Sequence, residues 1–446
     1  MGTSTKSGSG DTVTVANRRQ FLRATGTAFA ALAASGCMRA GVASAPPGIG
    51  YGPLVADPAG LLDLPAGFSY RVLSSLGDPM DDGSTVPNAA DGMGCFDLGN
   101  GKLALVRNHE LHSGQEGTGG AAPSGYRRDG DGVVMPGGTT TLVLDAATLR
   151  VERQFRSLAG TMRNCAGGIT PWGSWLTCEE PGFFMRRAPD HGYVFEVPAA
   201  ATGLVDPVPL KAMGRFNHEA ACVDPRTGAV YMTEDQNEGL FYRFLPNVPG
   251  KLAEGGKLQA LAVRSLGDSR NWDSAGMALN DWHEVSWIDL DNVEAPEDDL
   301  RARGAAAGAT VFARGEGLWM GDGELYFCCT SGGAAKLGQI FRLRPQASGP
   351  DRLQLFFEST SPEQFNFGDN LTVAPNGHLV VCEDQYTEET ANHLRGITPA
   401  GEAYPLALLR LDTELAGACY SPDGQVLFVN VYGPTRTLAI TGPWIA

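Results

Sequence analysis

The sequence predicts an all-β fold, a six-bladed β-propeller with loop insertions, and three observations predict it. A strand–turn–strand unit recurs six times along the chain. Gly 59 and Pro 28 are spread through 446 residues, as a fold made of many tight turns requires. No long amphipathic helical run lies outside the N-terminus. The units sit about fifty to about a hundred residues apart, which leaves room for one blade each, with insertions.

The first unit starts at Asp91-Gly92-Met93-Gly94 and runs through CFDLGNGKLALVRNHE to Glu110. The second, NCAGGITPWGSWLTCEE, spans Asn164 to Glu180, and the third, NHEAACVDPRTGAVYMTED, spans Asn217 to Asp235. RGEGLWMGDGELYFCCT follows from Arg314 to Thr330, then GDNLTVAPNGHLVVCED from Gly368 to Asp384, then LAGACYSPDGQVLFVN from Leu415 to Asn430. In the third unit, Ala220–Asp224 and Ala229–Thr233 read as strands, and Asp224-Pro225-Arg226-Thr227-Gly228 reads as the turn: Pro presets φ and Gly accepts a positive φ. The open end of a hairpin brings the start of one strand beside the end of the next. Glu219, Glu234 and Asp235 are therefore expected together, and the same holds for the acids of the other units.

Composition narrows the function. With 34 Lys and Arg against 50 Asp and Glu, the formal charge is −16, and no basic face is offered to nucleic acid. The charge reads either as a solvated acidic surface or, where acids gather at one end of the hairpins, as a site that binds cations.

Residues NRRQFLRATGTAFAALAASGC combine paired Arg18 and Arg19 with Phe21-Leu22 and an apolar stretch too short to span a bilayer. They resemble a twin-arginine export signal, with Asn17 where Ser or Thr is commoner. The expected partner is the twin-arginine translocase and the expected location is periplasmic or extracellular, with the protein exported folded. Cys37, after Ala34-Ser35-Gly36, also resembles a lipoprotein processing site lacking its usual Leu; a lipid anchor to the membrane stays open. The organisation expected is a signal over 1–37, a flexible tether over 38–60 and a monomeric propeller over 61–446.

Cys95, Cys178, Cys222, Cys328, Cys329, Cys382 and Cys419 lie within the repeating strands, where Cys serves as a small apolar residue and has no need to pair. Cys165 differs, because it occupies the place in its unit that Glu219 and Glu316 occupy in theirs. A thiolate among carboxylates suits a redox-capable or borderline metal such as iron; a buried inert Cys is the alternative.

The stretches NHE at 108–110, NCAGGITPWGSWLTCEE, FNHEAACVDPRTGAVYMTED, GLFYRF at 239–244, ARGEG at 313–317, FGDNLTVAPNGHLVVCED, GACYSPDGQVLFVN and the closing TGPW together resemble the PhoX-type alkaline phosphatases. The resemblance covers roughly residues 60 to 446 and implies an exported, calcium- and iron-dependent propeller that hydrolyses small phosphomonoesters. It implies two ferric ions and two or three calcium ions on the propeller axis. It places the iron ligands on Cys165, Glu219 and Glu316, with Glu180 closing the set; Glu110, Asp369, Asn370, Glu383 and Asp384, hard oxygen donors at blade ends, are the candidates for calcium. Glu234 and Asp235 carry less weight. Arg314, two residues before Glu316, resembles the family's phosphate-binding arginine, whose planar fork grips two oxygens at once. No G-x-S-x-G elbow is present, so metal-assisted hydrolysis is expected in place of a serine nucleophile.

Two other readings stay open: a calcium-stabilised propeller that only binds, and a calcium-dependent lactonase-type hydrolase. The lactonase reading has no use for Cys165 and Arg314, which together favour iron and phosphate. His109 and His218 read as packed at blade ends, with a supporting role toward ligands as the alternative. Trp172, Trp175 and Trp319 are expected between blades. Residues 251–308, rich in Ala, Asp and Glu, read as an insertion over one face.

Overall fold

The structure is a computed structural model that describes residues 48–385 and 391–445. The expected signal over 1–37 and Cys37 lie outside the described residues. Three strands precede the repeats: β1 (Leu54–Val55), β2 (Leu62–Pro65) and β3 (Ser69–Ser75). The first repeat forms β4 (Ala90–Gly99), β5 (Lys102–His109), β6 (Gly137–Asp145) and β7 (Val151–Thr161). The second forms β8 (Asn164–Ile169), β9 (Ser174–Glu179) and β10 (Val194–Pro198), edged by a single bridge from Phe195 to Pro209. The third is β11 (His218–Val223), β12 (Val230–Glu234), β13 (Phe241–Pro246) and β14 (Gly256–Val263). After β15 (Trp282–Asp289) and a short helix α1 (Leu300–Ala306) come β16 (Gly315–Met320), β17 (Leu325–Cys329), β18 (Gln339–Arg344) and β19 (Asp351–Glu358). The fifth is β20 (Gly368–Val373), β21 (Leu379–Glu383), β22 (His393–Ile397) and β23 (Ala403–Leu409), and the last is β24 (Leu415–Tyr420), β25 (Leu427–Val431) and β26 (Arg436–Thr441).

Hydrogen bonding joins these strands into five sheets, because β15 pairs with β14 on one side and β19 on the other and so fuses the third and fourth repeats. The repeats themselves number six, and their first strands close a ring: β4 lies beside β8, β8 beside β11, β11 beside β16, β16 beside β20, β20 beside β24, and β24 beside β4. This is the β-propeller that the six hairpins predict. Each neighbouring pair of blades encloses its own apolar layer. Val106 and Ala104 meet Phe195 and Trp175; Leu176 and Val194 meet Val230 and Tyr242; Tyr231 and Leu261 meet Phe327 and Leu343. Ile340 meets Val381, Val380 meets Val429, and Leu105 meets Phe428. The alternating side chains of a twisted blade supply both of its faces.

The ring is locked by chain from its own beginning, since β3 pairs with β26 to complete the last blade. β2 adds to β23 and carries β1 with it. Part of the span expected as a tether is thus built in: Tyr51 makes edge contacts with Phe68, Tyr404 and Trp444. The insertion at 251–308 differs from its expected place over one face. Its strands β14 and β15 lie in the sheet, and β15 runs along the outer blade edges, because an edge strand leaves backbone groups to pair and the insertion satisfies them. Trp175 is buried between the first two blades and donates its indole N–H to Asn108 at 2.9 Å.

Candidate metal and phosphate site

One irregularity occurs in all six blades. Where the first strand meets the second, the register shifts between Ala90 and Met93, Asn164 and Gly167, His218 and Ala221, Gly315 and Leu318, Gly368 and Leu371, and Ala416 and Cys419. Such a bulge bends the strand and re-aims a side chain. The residue just inside it is in turn Asp91, Cys165, Glu219, Glu316, Asp369 and Gly417. Five of the six blades therefore present a thiol or a carboxylate at one level of the axis. The sixth presents glycine for a steric reason: a Cβ on Gly417 would stand 2.3 Å from the Asp91 carbonyl oxygen. The next residues, Gly92, Ala166, Ala220, Gly317, Asn370 and Ala418, are Gly or Ala in five of the six blades, and together with larger neighbours such as Trp175 and Trp319 they line a small cavity of about 20 Å³.

A second tier comes from the ends of the second strands. Glu110, Glu180, Asp235 and Asp384 each follow the last residue of β5, β9, β12 and β21. Donor atoms of Asp91, Glu110 and Cys165 lie within 4.8 Å of one another, as do those of Cys165, Glu180 and Glu219, of Glu219, Glu316 and Asp369, and of Asp369, Asp384 and Glu414. Four triads sharing corners make one continuous band of donors, almost all of them buried. At such separations two like charges repel by about 3 kcal/mol even at an effective dielectric of about 20. The consequences show in the titrating groups. Burial pushes the Cys165 thiol well above its usual range, and Asp91, Glu219, Glu110 and Glu180 push it further; its S–H donates to Glu219 Oε1 at 2.8 Å. Burial and then Asp384 likewise hold Glu414 well above the carboxylate range. Asp384 Oδ1 is buried with no hydrogen-bond partner among the described residues. Carboxylate oxygens plus one sulfur, compressed in this way, fit multivalent cations, which invert this cost.

Two arginines border the band. Arg314 precedes β16 with φ 53°, its Nε donating to Asp235 Oδ1 at 2.7 Å and its Nη2 to Asp235 Oδ2 at 3.0 Å and Glu316 Oε1 at 2.8 Å. Arg163 precedes β8 with φ 49°. Its Nη2 donates to Glu180 Oε2 at 2.9 Å, its Nε donates to the Glu180 carbonyl at 2.9 Å, and Nη2 also forms an ion pair with Glu110. Burial alone would lower the Arg163 pKa, but Glu110 and Glu180 raise it further above its ordinary value.

Of the residues expected from sequence, Cys165, Glu180, Glu219, Glu316, Glu110, Asp369 and Asp384 meet in the band, with Arg314 at its edge. Asn370 stands beside it, donating to Asp369 Oδ1 at 2.9 Å and accepting from the Gly417 amide at 2.7 Å. Glu383 does not join the band. It accepts from Arg395 Nε at 2.7 Å and the Asn366 amide at 2.9 Å and meets His393 Nδ1 at 3.0 Å, inside its own blade. Strand alternation explains this, because of two adjacent acids only one can face the axis. Glu234 turns inward in the same way, to Tyr242 and the Leu240 amide, while Asp235 reaches Arg314. His109 is held by the Asn88 carbonyl and Thr140, and His218 stacks on Phe216 and contacts the Gly214 carbonyl. Both are packed at blade ends, as expected. Asp91 and Glu414 are additions. Asp91 opens the first repeat and would have been found by aligning that repeat with the units that place Cys165, Glu219 and Glu316, whereas Glu414 lies outside the repeated pattern. Every described cysteine is free, and all but Cys165 belong to the apolar layers between blades.

The fold and site define a class: a closed propeller with a buried band of carboxylates and one thiol on its axis, a donor set that could hold metal ions, flanked by two arginines. The chain belongs to the alkaline phosphatase PhoX family, whose model matches residues 49–435. Among solved structures it is similar to Pseudomonas fluorescens PhoX in complex with vanadate, a transition state analogue, with 19% identity, a TM-score of 0.68, and coverage of 86% of this chain and 96% of that one. A gluconolactonase from Xanthomonas campestris aligns over 88% of this chain and 98% of its own with 14% identity and a TM-score of 0.43. Among curated proteins none matches by sequence. Among the described residues no helix is long and apolar enough to cross a membrane.

Proposed function

We propose that this protein is an exported phosphatase that hydrolyses small phosphomonoesters at an iron- and calcium-holding centre on the propeller axis. The observation that carries the reading is the ring of bulges: five blades present a donor at one level and one of the five is a thiol, with an arginine clamped beside them. Cys165, Glu180, Glu219 and Glu316 would hold iron, since a sulfur donor selects a softer metal than oxygen alone does. Asp91 and Glu110 complete the triad on the other side of Cys165, and Asp369, Asp384 and Glu414 form an all-oxygen set suited to calcium. When bound, the cations polarise phosphoryl oxygens and offset the charge that builds up in the transition state.

The chain's own residues supply positioning. Asp235 and Glu316 hold the Arg314 guanidinium at the edge of the band through its Nε and Nη2, so that its plane is set before an ester arrives. Residues 1–37 would route the folded protein through the twin-arginine translocase. Buried free thiols in the blade cores suit folding in a reducing compartment before export.

The test is hydrolysis of an aryl phosphomonoester by the purified protein with and without added calcium, and with vanadate. Calcium-dependent turnover inhibited by vanadate is expected. Lactone hydrolysis in calcium without phosphatase activity would replace this reading with the lactonase one.

A further inference from the structure

Arg163 occupies the same place in its blade as Arg314 does in its own. Each stands two residues ahead of an axial donor, Cys165 in one case and Glu316 in the other, and each has a positive φ. Each also reaches the acid that ends the second strand of the preceding blade, Glu110 for Arg163 and Asp235 for Arg314. They differ in what else they touch. One nitrogen of Arg163, Nη2, meets both Glu110 and Glu180. These acids belong to different triads, Asp91–Glu110–Cys165 and Cys165–Glu180–Glu219, which share only the thiol. Arg163 also binds the Glu180 carbonyl through Nε, and its own amide donates to the Leu111 carbonyl at 2.8 Å. Tyr432 donates to the second oxygen of Glu110 at 2.7 Å.

We propose that Arg163 is a positioning residue of the metal centre, holding Glu110 and Glu180 on either side of Cys165 so that the two thiol-sharing triads are assembled before cations bind. A single buried guanidinium that contacts one acid of each triad fixes their separation and supplies the positive charge that lets two carboxylates remain close together. Its planar fork is needed, because Nε and Nη2 act on the backbone and side chain of Glu180 at once. This inference rests on the metal-centre reading above.

The test compares the unmutated protein with Arg163→Met and Arg163→Lys. Iron and calcium per chain are measured by plasma mass spectrometry, calcium affinity by titration, and kcat and KM for an aryl phosphomonoester, with circular dichroism to confirm folding. For Arg163→Met the expectation is less than half the iron and a calcium Kd raised at least tenfold. Its kcat should fall in step with the metal lost, and its KM should stay within about twofold. Arg163→Lys keeps the charge but not the fork, and should restore part of the iron with calcium weakened about threefold. Should the Met variant fail to fold, the Lys variant decides alone. Either folded variant carrying unmutated levels of both metals would overturn the inference, as would full metal with a raised KM, which would make Arg163 a substrate contact. Absence of both metals from the unmutated protein would overturn the metal-centre reading itself, and this inference with it.

Discussion

Arg314 sits at φ 53°, a conformation that costs a non-glycine residue of order 1 kcal/mol or more and persists only where its surroundings fix it. Here the Arg314 amide donates to the Gln236 carbonyl at 2.9 Å and its carbonyl accepts from the Thr330 amide at 3.0 Å, and the strain sits at the site edge beside the Asp235–Glu316 clamp. Replacing Arg314 with Ala should lower kcat/KM by about a hundredfold or more, the usual cost of losing one preorganised charge-stabilising donor. Arg314→Lys should recover little of that loss, since a point charge cannot use the same clamp. Steady-state kinetics with a single phosphomonoester would show this, and near-normal kcat/KM in Arg314→Ala would remove it from the mechanism. The sequence made Cys165, Glu219 and Glu316 legible because the repeated unit puts them in equivalent places. It could not choose between Glu383 and Asp384, or between Glu234 and Asp235, because a one-residue difference in where the strand ends decides which acid faces the axis. Glu414 was illegible for another reason: it precedes β24 at a place where other blades carry no acid.

At the scale of elements, the six inner hairpins could be read from turn residues alone, since Gly and Pro mark their tips locally. The bulges could not, because they belong to pairing between strands and leave no composition of their own. Nor could the attachment of the N-terminal strands, which is held by an Asp57 motif. Asp57 accepts hydrogen bonds from the Leu61 amide at 2.8 Å, the Leu62 amide at 3.1 Å, the Ala59 amide at 2.9 Å and the Tyr70 hydroxyl at 2.6 Å. Desolvation would raise its pKa, but the Tyr70 hydroxyl and these amides outweigh it and hold the carboxyl well below its usual range. A carboxyl depressed on folding contributes stability above its unfolded pKa, near 3.9, and loses that contribution as pH falls toward the folded value. Asp57→Asn should therefore cost about 1–2 kcal/mol at neutral pH, allowing for solvent screening. The gap between variant and unmutated protein should narrow progressively below about pH 4. Denaturant melts across pH would follow it; a gap that stays constant down to pH 2 would contradict the assignment.

At the scale of the whole molecule, the apolar layers and the axis pull in opposite directions. Six layers between blades draw the ring together, and β3 closes it onto β26, while a buried band of carboxylates at its centre pushes it apart. That closure joins the two ends of the propeller chain, a non-local pairing that no local pattern in the sequence discloses, whereas the number of blades was legible as a simple repeat. The balance is struck if multivalent cations occupy the band, so metal content decides it. The most direct measurement is iron and calcium per chain in the purified, folded protein by plasma mass spectrometry, taken alongside calcium-dependent phosphomonoester turnover. About two iron ions per chain together with calcium, and turnover that falls when calcium is removed, is the result predicted. Calcium without iron, and no turnover, would contradict it, leaving the propeller intact but its axis serving some purpose other than phosphate ester hydrolysis.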